Sequence, residues 1–209
     1  MFNLNRLKHL AIMLGNIRPH SKPKVHLEQY TLGCDEAARI LWYAGRVNND
    51  IYGKIVMDLG CGTGILAIGA VLLGAKHVIG VDVDPEALEI ALDNAKNIGV
   101  YSKISFVCAE VPNIPIYKKV DTVIQNPPFG VHKKGADTMF LETALNNANV
   151  VYSLHKYTIE NDLFLSNFIN SIGCRIADSI LLTVNIPHMF DFHKEFKRKV
   201  NVILYKIIH

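Results

Sequence analysis

Apolar residues in this chain follow two rhythms that alternate along its length. Short apolar runs recur: Ile55-Val56-Met57-Asp58 and Val78-Ile79-Gly80-Val81-Asp82, each closing on an acid, then Ile104-Ser105-Phe106-Val107-Cys108, Val120-Asp121-Thr122-Val123-Ile124 and Val150-Val151-Tyr152-Ser153. Runs this short, bounded by turn residues, predict buried strands. Between them the apolar positions take helical spacing. Ile65 to Leu73 is apolar almost throughout and closes at Gly74, which predicts a buried helix. Pro85 to Asn97 sets Ala87, Leu88, Ala91, Leu92 and Ala95 on one side, with proline in the first turn, where its missing N–H costs nothing. Two more helices are predicted over about 138–148 and 158–171. Alternation of strand and helix with short loops predicts an α/β fold with a parallel sheet covered on both faces. After Gly173 the rhythm changes, and segments 175–185 and 199–208 predict a terminal antiparallel pair.

Toward the N-terminus, Leu4, Leu7, Ala11 and Leu14 fall at helical spacing, predicting a short amphipathic helix over about 2–15. Arg18-Pro19-His20-Ser21-Lys22-Pro23 reads as an extended basic linker. A second helix is predicted from about Asp35, carrying Ala37, Ala38, Ile40, Leu41 and Tyr43. The expectation is one domain over 1–209, with 1–26 as helix and linker and 27–209 as core.

Composition narrows the class. Half of the 209 residues are apolar and a fifth charged, which fits a soluble globular domain and excludes a disordered chain. A net charge of +3 permits an acidic partner without demanding one. The apolar stretch Leu10 to Leu14 is too short for a signal peptide or membrane span. Cys34, Cys61, Cys108 and Cys174 are far apart and read as buried apolar cysteines of a reducing, cytosolic compartment. With no Cys-x-x-Cys and no His-Glu-x-x-His, no metal is expected.

Asp58-Leu59-Gly60-Cys61-Gly62-Thr63-Gly64 joins a strand to a helix. Glycines there let the backbone turn tightly and let a ligand approach its N–H groups. The spacing excludes a dinucleotide fingerprint, whose third glycine falls on Ile65, and a Walker loop, which ends in Gly-Lys-Ser/Thr. Asp82, about twenty residues on and closing the next strand, is placed to accept ribose hydroxyls. Asp58 can balance a cationic amine or hold the loop. An adenosine ribose with a cationic amino-acid tail, as in S-adenosylmethionine, fits this set better than a phosphate ester.

Asn126-Pro127-Pro128-Phe129 follows the fourth strand. Two prolines stiffen the turn. It then fixes the Asn126 carboxamide and the Pro127 carbonyl as two acceptors for a planar –NH2, with the Phe129 ring beside them. Such a group belongs to a nucleobase or, less often, a glutamine side chain. As the bland alternative, Asn-Pro-Pro is a strand-ending turn without chemistry.

Together these motifs resemble class I S-adenosylmethionine-dependent methyltransferases, with Asp58 to Gly64 as the first motif, Asp82 as the ribose acid and Asn126 to Phe129 as the catalytic motif. Leu27-Glu28-Gln29-Tyr30, Gly135-Ala136-Asp137 and Val151-Tyr152-Ser153-Leu154-His155-Lys156 narrow the resemblance to the methyltransferase-like protein five group, which methylates adenine N6 in small-subunit ribosomal RNA. The resemblance runs from about Lys24 to the C-terminus. It implies a Rossmann-like, mostly parallel seven-stranded sheet with a reversed last hairpin. It also implies cofactor contacts from Gln29, Tyr30, Asp58, Gly60, Gly62, Thr63, Ile65, Asp82, Glu110 and Val111. Thr31-Leu32 stand where that group usually has Pro-Thr, and Glu110 where it has aspartate. The group further implies a small zinc-binding activator subunit on the edge of the third strand. For an RNA substrate, Phe129 is the stacking face, and Lys133, Lys134, Lys156, Lys194, Lys197, Arg198 and Lys199 are candidate phosphate contacts. A protein glutamine N5-methyltransferase is the alternative, since the same turn accepts a carboxamide. A silent cofactor-binding scaffold is the third reading.

Overall fold

The computed structural model describes residues 6–30, 32–130, 132–187 and 197–209. Its seven strands are β1 (Ile55–Leu59), β2 (His77–Asp82), β3 (Ile104–Cys108), β4 (Val120–Gln125), β5 (Ala148–Lys156), β6 (Arg175–Pro187) and β7 (Lys197–Ile208). They form one sheet in the order β3-β2-β1-β4-β5-β7-β6. The first five run parallel, and β7 lies antiparallel between β5 and β6. This is the expected Rossmann-like sheet with its reversed terminal hairpin.

Six α-helices are found among the described residues: α1 (Leu7–Leu14), α2 (Cys34–Trp42), α3 (Ile65–Leu72), α4 (Pro85–Ile98), α5 (Ala136–Asn147) and α6 (Ile159–Ser171). Side chains alternate across the strands, so each strand feeds two core layers. Val56, Val78, Ile124, Tyr152 and Leu204 pack with Leu10, Leu14, Ile40, Leu41 and Ile68 of α1 to α3. Met57, Leu59, Val123, Val151 and Ile203 pack with Leu141, Leu145, Leu165 and Ile169 of α5 and α6. Covering both faces accounts for the near-continuous apolar runs of the sequence.

Strand order reverses between β1 and β4. The crossovers leave this pair in opposite directions, and a crevice opens at its C-terminal ends. Asp58 and the glycine turn reach it from β1, Asp82 from β2 and Asn126 from β4.

The linker at 18–23 is mostly exposed, without helix or strand, and is anchored to α4 at its first residue: Asn94 exchanges two 3.0 Å hydrogen bonds with the Arg18 backbone, and the Arg18 guanidinium reaches Asp93 at 3.2 Å. Three other expectations are corrected. β5 continues past Ser153 to Lys156, where the Ser153 hydroxyl and His155 Nε2 pair at 2.7 Å and both residues are buried, with His155 Nδ1 left without a hydrogen-bond partner. The terminal pair is longer than the expected 175–185 and 199–208: β7 opens at Lys197, with Lys197 to Lys199 opposite Pro187, Ile186 and Asn185. Cys108 is exposed and Cys34 partly so; Cys61 and Cys174 are buried, and all four are free. Among the described residues no helix is long and apolar enough to cross a membrane.

Candidate active site

One cleft at the β1/β4 crevice gathers all ten residues expected to hold the cofactor: Gln29, Tyr30, Asp58, Gly60, Gly62, Thr63, Ile65, Asp82, Glu110 and Val111. Gly62 adopts φ +51°, where a side chain is strained, and apart from its two chain neighbours no residue has an atom within 4 Å of the position a Cβ would take. The turn is therefore an open cradle. Its shape is held by Asp82, whose Oδ2 accepts the Gly62 N–H at 2.8 Å and whose Oδ1 accepts the Asp84 N–H at 2.9 Å. Each carboxylate oxygen keeps a lone pair for a further donor.

Asp58 accepts the Ala67 N–H at 2.9 Å in the first turn of α3. Burial lifts its pKa to about 8, the Ala67 bond opposing and the charge of Asp82 adding to the rise. Burial likewise raises Asp82. A site that desolvates two carboxylates favours a cationic ligand. Glu110 is exposed at the cleft mouth, 4.0 Å from the Lys133 ammonium.

Segment 24–30 forms a strap tied at both ends, and Lys24, Glu28 and Asp84, which make several of the ties, were not among the expected site residues. Toward β2, the Gln29 amide donates to Asp84 Oδ2 at 2.8 Å and the Lys24 ammonium to Asp84 Oδ1 at 2.7 Å. Burial pushes the Asp84 carboxyl up, but the bonds from Gln29 and Lys24 outweigh it and hold the pKa at about 2. His20 and Glu86 approach the same carboxylate, and the Lys24 ammonium, also 3.8 Å from Glu86, supplies the positive charge there. Toward β4, Glu28 accepts the backbone N–H of Phe129 at 2.6 Å and of His132 at 2.9 Å. Next to it the Tyr30 hydroxyl donates to Asn126 Oδ1 at 2.7 Å. Glu28 appears in the Leu27-to-Tyr30 motif, but nothing local marks it as a tie to a turn a hundred residues away.

Asn126 and Pro128 line the cofactor cleft beside Met139 and Phe140. Pro127 and Phe129 do not. Phe129 instead lines a second cleft with Asp137, His155, Lys156, Thr158 and Asn161. Burial lowers the His155 pKa to about 3, so this imidazole is neutral. Of the expected phosphate contacts, Lys133 sits on the cofactor cleft, Lys156 shares the second cleft with Phe129, and Lys134 is exposed and lines neither. Lys199 is exposed on β7, whose first residues project beyond the end of β5 on the same side of the sheet as Asn126. Lys197 and Arg198 share that strand. Their side chains, Lys194 and Thr31 lie outside the described residues.

An open glycine cradle, a fixed carboxylate for hydroxyls and a second buried carboxylate fit a nucleoside with a cationic tail. Comparison with known proteins agrees. The family described as ribosomal protein L11 methyltransferase (PrmA) matches residues 42–127, which include the glycine turn, Asp82 and Asn126. An uncharacterized protein of Methanocaldococcus jannaschii, MJ0284, is 38% identical over 96% of this chain and 93% of its own. The rRNA N(6)-adenosine-methyltransferase METTL5 of Danio rerio is 36% identical over 94% of this chain and 95% of its own. The solved structure of PH1948 from Pyrococcus horikoshii superposes with a TM-score of 0.90 at 38% identity, covering 98% of both chains. The chain is an S-adenosylmethionine-dependent methyltransferase, and it belongs to the METTL5 family.

Proposed function

We propose that this enzyme methylates N6 of an adenine in small-subunit ribosomal RNA. The observation that carries the reading is Asn126, which stands on the wall of the cofactor cleft, next in sequence to residues that lead into a second, lysine-bearing cleft. The names of the Danio rerio and Drosophila melanogaster relatives, both rRNA N(6)-adenosine-methyltransferases, support the substrate class.

A neutral adenine amine is a poor nucleophile, since its lone pair is delocalised into the ring. Asn126 Oδ1 and the Pro127 carbonyl each accept one of its N–H bonds, which favours a pyramidal nitrogen and stabilises the positive charge that develops on it. The Pro127-Pro128 turn keeps both acceptors fixed, and in-line positioning supplies most of the remaining acceleration. S-adenosylmethionine supplies an already activated methyl group when bound. The amine proton leaves after transfer, when the nitrogen is strongly acidic.

To reach the site the adenine is unstacked from its strand and stacks on Phe129, a contact worth about 1–3 kcal/mol. Lys156 beside Phe129 and Lys133 on the cofactor cleft hold phosphates, with Lys134, Lys194, Lys197, Arg198 and Lys199 extending the basic rim. A small zinc-binding activator adds a strand along β3, which lies at the edge of the sheet. The four free thiols accord with work in the cytosol.

The test is incubation with methyl-labelled cofactor and separated rRNA, tRNA and protein fractions, followed by digestion to nucleosides or amino acids. Label in N6-methyladenosine of small-subunit rRNA is the expected result. N5-methylglutamine with unlabelled RNA overturns it in favour of a protein methyltransferase, and cofactor binding with no transfer leaves a scaffold.

A further inference from the structure

Tyr30 stands where the incoming amine has to bind. Its hydroxyl donates to Asn126 Oδ1 at 2.7 Å, and its ring lies 5.4 Å from that of Phe129, tilted by 36°. An aromatic ring against Phe129 with a donor on Asn126 Oδ1 is the pair of features a target adenine presents. No base fits between the two rings, since two stacking gaps of about 3.5 Å require about 7 Å. Burial pushes the Tyr30 pKa far above the usual tyrosine value, against the opposing bond to Asn126, so the hydroxyl remains a donor across physiological pH. Its backbone has little freedom to drift. Tyr30 N–H bonds the Glu28 carbonyl at 2.9 Å, Glu28 is tied to Phe129 and His132, and Gln29 to Asp84. A change at Tyr30 is therefore a swing of the side chain.

We propose that Tyr30 is a base-mimicking gate: its O–H satisfies Asn126 Oδ1 in the resting enzyme, and the target amine enters by displacing it. Tyr30 thereby sets the affinity for RNA. It also restricts productive entry to bases with an exocyclic N–H, because a base presenting a carbonyl cannot replace the donor it removes. The inference rests on the role proposed above for Asn126.

The test is steady-state kinetics on small-subunit rRNA with the wild type, Tyr30→Phe and Asn126→Ala, together with calorimetric affinity for S-adenosylmethionine. Tyr30→Phe keeps the ring and removes the competing donor. It is expected to raise kcat/KM for RNA about three- to tenfold, the range of one net hydrogen bond, with the gain carried by a lower KM. An RNA KM that stays the same or rises overturns the gate. In that case weaker cofactor binding assigns Tyr30 to the cofactor, and a lower kcat makes it a positioning residue for Asn126. Wild-type turnover in Asn126→Ala, or no methylation of RNA by the wild type, overturns the proposed function and the gate together. Loss of turnover in Asn126→Ala with an unmoved KM in Tyr30→Phe removes the gate alone.

Discussion

The Glu28 carboxylate lies 2.6 Å from the backbone N–H of Phe129, joining two points 101 residues apart in the chain. Glu28 is 7% exposed and adopts φ +52°, a left-handed conformation that costs a non-glycine residue about 1–3 kcal/mol. Its two bonds to the backbone of Phe129 and His132 hold it there. Glu28→Ala leaves the N–H groups of Phe129 and His132 without that partner and frees the turn. Stability should fall by about 1–3 kcal/mol in chemical denaturation, and kcat about tenfold or more. Wild-type kcat in this variant would show that the turn is fixed by its prolines alone.

Asp82 holds the glycine cradle and faces the cofactor cleft. Asp82→Ala should weaken S-adenosylmethionine binding by about 1.5–3 kcal/mol, the worth of a hydrogen bond to a charged group. Calorimetric affinity equal to that of the wild type would remove Asp82 from the site.

Asp84 gives the strap a defined acid limit. Its folded pKa of about 2 lies below the ordinary aspartate value. The unfolded chain thus takes up its proton first, and the stabilisation is complete above about pH 4 and lost as the pH falls toward 2. Over that interval the loss is about 2 kcal/mol. Denaturation at pH 6 and at pH 2.5 measures it. Asp84→Asn should be the less stable protein at pH 6 and approach the wild type at pH 2.5. An equal gap at both values would mean that the ties of Gln29 and Lys24 do not depend on the charge.

Lys156 shares a cleft with Phe129, so under the proposed function it meets the backbone of the strand whose base stacks on that ring. Lys156→Ala should raise the RNA KM and lessen the salt slope of binding by about 0.7, one phosphate on a single strand, with cofactor affinity retained. An unchanged slope would take Lys156 off the RNA path.

Much of this was legible in the sequence because it is local. A strand buried on both faces, a glycine turn after an acid and a proline-fixed asparagine each announce themselves within a few residues, and Asp58, Asp82 and Asn126 meet at the β1/β4 crevice. What stayed hidden depends on distance along the chain. Lys24 and Asp84 are 60 residues apart, Tyr30 and Asn126 are 96, and no spacing rule links either pair. The end of β5 escaped for another reason: Ser153 and His155 look like solvent residues until each becomes the other's partner. The last strand was expected only from 199 because basic residues suggest solvent, yet the antiparallel pairing with β6 continues back to Lys197.

The edge position of β3 bears on assembly. Ile104 and Phe106 lie on a strand whose outer side pairs with no other strand among the described residues. Co-expression with a small zinc-binding activator should yield a complex that survives gel filtration and raises soluble yield and activity. No complex and no change in either would make the enzyme self-sufficient.

Asn126→Ala puts the chemistry to the most direct trial. N6-methyladenosine in digested small-subunit rRNA should fall about a hundredfold or more while calorimetric affinity for S-adenosylmethionine is largely kept, as expected when hydrogen bonds made in the transition state are removed. Wild-type yield of N6-methyladenosine from that variant would contradict the role given to Asn126.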